Sequence, residues 1–107
     1  MEEKAIDLFN TSVKQWQASQ ITSEQYADIL EKQILPPWRA ERAAMEKLKV
    51  SRDQATRKRL LVEYLSDREQ GWQLTADGLR AHDADKLRQG AQKGAEAEKV
   101  AAQLRRR

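Results

Sequence analysis

The stretch Trp16-Gln17-Ala18-Ser19-Gln20-Ile21-Thr22-Ser23-Glu24-Gln25-Tyr26 decides how this chain folds. Thr22 followed three residues later by Gln25 is a capping box: the hydroxyl accepts from the Gln25 N–H, and the amide reaches back to the Thr22 N–H. Ile21 before the cap and Tyr26 after it are placed as a hydrophobic staple. One helix therefore ends near Gln20 and a second begins at Thr22. Upstream, Ile6, Phe9, Val13 and Trp16 recur at 3-4-3 spacing, which is one stripe on a helix. Downstream, Tyr26, Leu30 and Ile34 form another. In an antiparallel hairpin, facing residues have numbers that sum to twice the turn position. Trp16–Tyr26, Val13–Leu30 and Phe9–Ile34 give sums of 42 or 43, as a turn near residue 21 requires.

The same reasoning extends along the chain. The second helix meets Pro36-Pro37, where two N–H donors are missing and Leu35 is restricted, so it is predicted to kink or break there. Helical pattern resumes through Trp38, Met45 and Leu48. Ser51 with Gln54, preceded by Val50, is a second capping signature. It opens a third helix over about 52–81 through Leu61, Leu65, Trp72 and Leu79, with Ser66 and Glu69 as a competing start. Asp83 caps a fourth helix that carries Leu87, Gly90, Gly94, Ala97, Ala101 and Leu104. About a turn at 82–83, Leu61–Leu104, Leu65–Ala101, Trp72–Gly94 and Leu79–Leu87 sum to 165 or 166; about a turn near 51, Trp38–Leu65 sums to 103. The expected fold is all-α: an up-down-up-down antiparallel four-helix bundle, one domain over residues 1–104, with a disordered basic tail at 105–107. Trp16, Trp38 and Trp72 should be at least partly buried, with Gly94 leaving room for the Trp72 indole.

Composition narrows the chemistry. The chain has 107 residues, 39% hydrophobic and 35% charged, enough for one core and too few for two. It has no cysteine, which excludes disulfides, thiolate metal sites and a Cys nucleophile. Its one histidine, His82, falls at an inter-helix turn beside Asp83 and Asp85, where it solvates or caps the end of the third helix. No Glu-x-x-His pair, haem-attachment motif or Gly-rich phosphate loop occurs. No catalytic residues, metal ligands or cofactor are therefore expected. No apolar run approaches the length of a membrane span, and the charged N-terminus is no signal peptide. The compartment cannot be read from the residues.

Charge is segmented: residues 38–60 sum to +5 in a chain of net +3. Arg57, Lys58 and Arg59, however, spread around the helix and have no aromatic neighbours for base stacking, so no specific nucleic-acid complex is expected. Because the most apolar faces are needed for the core, membrane-surface binding is expected to be weaker still.

Two features stand out from this background. Leu35-Pro36-Pro37-Trp38 is either a kink or a notch beside a Trp. Arg68 falls on the apolar stripe of Leu61, Leu65 and Trp72, with Tyr64 and Trp72 one turn away on either side, and a guanidinium so placed needs a carboxylate. Glu31 and Glu98 are the candidates.

Asn10 with Trp16-Gln17, the capped restart at Ile21-Thr22, Leu35-Pro36-Pro37-Trp38, and Tyr64-Leu65 with Arg68 and Trp72 resemble a water-soluble helical module that accompanies bacterial membrane proteins such as rhomboid-type intramembrane proteases. The resemblance covers most of the chain and transfers no catalytic residue. It implies an accessory domain working beside a membrane protein. The reading of the sequence is thus a monomeric, non-enzymatic interaction module with a protein partner, with Arg68, Trp72, Trp38 and Tyr64 as its candidate binding residues. The alternative is a small-ligand-sensing bundle that uses the same Trp- and Arg-lined pocket.

Overall fold

In the computed structural model, which describes residues 2–106, every regular element is helical. Helix α1 spans Glu2–Gln17. Helix α2 (Ser23–Ile29), a π-helical turn (Leu30–Ile34) and α3 (Leu35–Lys47) follow one another without a break. A 3-10 turn (Arg52–Gln54) leads into α4 (Ala55–Ala81), and α5 (Ala84–Arg106) closes the chain. Counting α2, the π turn and α3 as one rod, these are the four helices of an antiparallel bundle measuring 47 × 22 × 20 Å.

The first turn forms as its sequence dictates. Thr22 N–H donates to Gln25 Oε1 at 2.8 Å and Gln25 N–H to Thr22 Oγ1 at 3.1 Å. The Trp16 indole packs against the Tyr26 ring at 5.5 Å between centroids, and its Nε1 donates to Ser23 Oγ at 3.1 Å. Asp83 caps α5 by accepting from the Asp85 and Lys86 N–H groups. His82 ends α4 in the left-handed conformation, with its backbone N–H on Gly78 O. The second capping signature is not used: Ser51 makes no side-chain cap, and Gln54 N–H turns to Ser51 O in a 3-10 turn. Ser66 and Glu69 lie inside the uninterrupted α4.

At the two prolines the rod neither breaks nor becomes extended. Pro36 and Pro37 occupy the first turn of α3, the position at which a helix best tolerates their missing N–H groups. The crowding between each ring and the preceding carbonyls is relieved upstream, where the turn widens so that Leu35 N–H bonds to Leu30 O, five residues back. Leu35 keeps helical dihedrals although a proline follows, and its side chain is fully buried, as are Leu30 and Ile34. Core burial outweighs the local preference of a pre-proline residue for extended backbone. The basic tail is also corrected. Arg105 and Arg106 are the last residues of α5; Arg107 lies outside the described residues.

The core is built from Tyr26, Leu30, Ile34 and Leu35 of the rod, Trp38, and Leu65, Trp72, Ala76 and Leu79 of α4. The Trp38 Nε1 donates to Leu65 O at 2.8 Å, so a buried indole leaves no polar atom unmet. Its ring meets Trp72 edge-on at 4.6 Å. Trp72 also lies 5.5 Å from Phe9 of α1.

Around this core, guanidinium groups tie α4 to the rod. Arg42 Nε donates to Glu69 Oε1 at 2.5 Å. Arg80 reaches both Asp28 and Glu31 at 2.6 Å. The hydrogen bond from Arg80 holds the Asp28 carboxyl below its ordinary value, against a smaller opposing effect of desolvation. A lowered folded-state value stabilises above the unfolded carboxylate's titration near about 4 and is lost as pH falls through the lowered value. Carboxyl titration by NMR should therefore show Asp28 moving up towards its ordinary value in Arg80→Ala. The variant should be destabilised at neutral pH and nearly match wild type once the pH falls below the lowered value. Because the pair is exposed, the effect is small.

The α4–α5 hairpin keeps the expected level but not the expected face. Gly78 faces Leu87 and Thr75 faces Gly90, pairs that sum to 165, so the turn position is right. The residues that meet, however, are Gly71, Thr75 and Gly78, one step round the helix from Trp72 and Leu79. Trp72 points towards Trp38 and Phe9 rather than at Gly94. A Cβ on Gly94 would meet only Arg68 Nη1, at 3.8 Å, so this glycine makes no room for an indole.

Candidate functional site

Rotating α4 in this way opens a groove between α1 and α5. Phe9 and Trp16 of α1, with Tyr26 of α2, form one wall. Arg68, Gly71, Trp72 and Thr75 of α4 form the floor, and the small residues Gly90, Ala91, Gly94 and Ala95 of α5 form the other wall between Leu87 and Glu98. The cavity holds about 480 Å³. Small side chains on α5 opposite aromatic ones on α1 leave space that two helices in direct contact would fill.

Arg68 is the polar group of this groove. Its side chain is only 11% exposed and is paired with Glu98 of α5, whose side chain is 58% exposed. The guanidinium carbon lies 5.8 Å from the Tyr64 ring centroid, a cation–π distance. The Arg68 Nε is buried and has no hydrogen-bond partner. Of the two carboxylates the sequence offered, Glu98 takes the role, and Glu31 is engaged by Arg80 instead. An arginine held on an apolar floor, with an unmet donor and an exposed counter-charge, can exchange that counter-charge for an incoming anionic group. No family model, curated protein or solved structure matches the chain.

The four residues singled out from the sequence divide in two. Arg68 and Trp72 line the groove. Trp38 and Tyr64 do not: Trp38 sits behind Trp72 in the core, and Tyr64 packs on Trp38 at 6.0 Å while supporting Arg68. The groove is not lined by the Pro36-Pro37 joint, and the pocket that Pro37 does border is lined by Lys4, Ala5, Leu8 and Gln33 rather than by Trp38. Phe9, Trp16 and Tyr26 escaped notice as site residues because their stripes match a fully closed bundle. The available signal was the run of small residues 90, 91, 94 and 95, which cannot cover an aromatic face. Tyr26 is buried, and burial raises its phenol above the ordinary tyrosine value, so it stays neutral at physiological pH. Among the described residues, no group of three or more His, Cys, Asp or Glu side chains could hold a metal ion.

Proposed function

We propose that the chain is a non-enzymatic interaction module whose α1–α5 groove receives an apolar segment of a protein partner carrying a carboxylate. The observation that carries this reading is Arg68, held 11% exposed on the floor of an aromatic-walled groove with its Nε unmatched. Phe9, Trp16 and Trp72 supply apolar contact area, Arg68 supplies orientation, and Gly94 lets a backbone approach α5 closely. On the resemblance drawn from the sequence, the partner is a bacterial membrane protein. A second reading, a small carboxylate ligand in the same place, is favoured by the groove's volume of about 480 Å³, within the usual range for small-molecule sites.

Arg68→Met separates the module's function from its stability. Replacing a poorly solvated ion pair by an apolar side chain of similar length should leave the melting temperature unchanged or raise it. Peptides selected from a displayed random library on wild type should carry apolar anchors with Asp or Glu. Their affinity for Arg68→Met should fall about tenfold or more, since a charge-assisted contact is lost. Peptides that bind the variant equally well would reject the groove as the binding site. Aryl and alkyl carboxylates, followed by Trp fluorescence, test the second reading in the same way.

A further inference from the structure

The charge and the exposed apolar surface of this molecule are concentrated at one end of its long axis. There the last turn of α3, the 48–51 connection, the 3-10 turn, the start of α4 and the end of α5 come together. Two side chains stitch them. Lys58 Nζ donates to Glu46 O at 3.0 Å and to Leu48 O at 2.6 Å, and Arg57 Nη1 donates to Leu104 O at 3.3 Å. Residues 46–59 with 105 and 106 hold eight basic side chains against two acidic ones, a local net charge of +6 in a chain whose total is +3. Six of the basic groups, Lys47, Lys49, Arg52, Arg59, Arg105 and Arg106, are exposed and make no ion pair among the described residues. Glu46 is engaged by Arg42. Leu48, 51% exposed, stands at this end as an exposed large hydrophobic side chain. It borders a shallow apolar notch of about 160 Å³ that it shares with Met45, Val50 and Leu61.

From this arrangement we propose that the basic end docks on an anionic phospholipid surface, with Leu48 entering the headgroup region and the surrounding cations facing lipid phosphates. Unpaired cations together with an exposed leucine suit a membrane better than a nucleic acid. No aromatic side chain is present at this end to stack on a base, and a duplex groove offers nothing to Leu48. Arg57 and Lys58 are turned back onto helix-end carbonyls. The proposal is independent of the groove: no residue lines both.

Co-sedimentation of the purified chain with phosphatidylcholine vesicles, with and without phosphatidylglycerol, tests it. Binding is expected only to the anionic vesicles, surviving physiological salt in reduced amount and disappearing at high salt. Charge reversal at Lys49 and Arg52, whose exposed side chains make no ion pair among the described residues, should lower the partition coefficient about tenfold or more. Leu48→Asp should abolish binding with only a small fall in melting temperature, because half of the residue is already exposed. Equal binding to both vesicle types, indifference to Lys49→Glu/Arg52→Glu, or tighter binding to a duplex oligonucleotide than to the anionic vesicles would each overturn the proposal. Arg68→Met should bind these vesicles as wild type does, so loss of the groove reading leaves this test intact.

Discussion

Trp72→Ala is expected to be the most damaging single substitution in this protein, costing about 3–5 kcal/mol of the roughly 5–15 available to a domain of this size. The indole is buried at the point where three elements meet: edge-on to Trp38 of α3, beside Phe9 of α1, and on α4 itself. Removing it opens a cavity that Trp38 cannot relax into, because the Trp38 Nε1 is anchored to the Leu65 carbonyl. The same substitution deepens the groove floor. Urea denaturation should therefore show the midpoint falling sharply with little change in slope. A loss below about 1 kcal/mol would mean that the α1 contact with Trp72 is not formed in solution.

A second large effect separates two glycines only four residues apart. A Cβ on Gly90 would stand 2.5 Å from Thr75 Oγ1 and 2.8 Å from the Gly71 carbonyl, and neither can move far: the threonine is tied to Gly71 O, and the carbonyl is backbone. Gly90→Ala should therefore force α4 and α5 apart and destabilise by about 1–3 kcal/mol despite alanine's better helix propensity. Gly94→Ala meets only ordinary contact with Arg68 and should gain up to about 1 kcal/mol from the same propensity. Thermal melts of the two variants, expected to move in opposite directions, check the α4–α5 face directly. If both moved downward together, Gly94 would be packed as tightly as Gly90.

That pair also shows where reading the sequence succeeds and where it stops. Pair sums depend only on the position of the turn, and Asp83 and Thr22 announce their turns through local hydrogen bonding. The level of the helices on either side of these two turns followed; between the rod and α4, Trp38–Leu65 fits the expected sum, but Arg42–Glu69 and Arg80–Glu31 sum to 111 rather than about 102. Rotation about the helix axis is a different quantity. It is set by which small residues allow two backbones to approach, and Gly71 and Gly90 settle it only when both helices are present in space. Taking Trp72 as Gly94's partner placed α4 one residue off in rotation, closed the groove and hid Phe9, Trp16 and Tyr26 as lining residues. Arg68 was recognisable regardless, because a charge on an apolar stripe needs an explanation in any rotation. Ser51 failed as a cap for a different reason: the Gln54 N–H that its hydroxyl would meet donates instead to the Ser51 carbonyl in the 3-10 turn.

The π turn at Leu30–Ile34 has a consequence for how α3 meets the rest of the bundle. In an unbroken α-helix the stripe of Tyr26, Leu30 and Ile34 would continue at Pro37, leaving Trp38 displaced by about 100° towards solvent. The wide turn takes up one extra residue, resetting the phase of the helix so that Leu35 and Trp38 inherit the inward face and the prolines turn outward. It acts like a one-residue insertion absorbed without a loop. Straightening it by replacing both prolines would be compatible with the core only if a residue were deleted between Leu30 and Ile34 at the same time, so length and proline content are coupled across this joint.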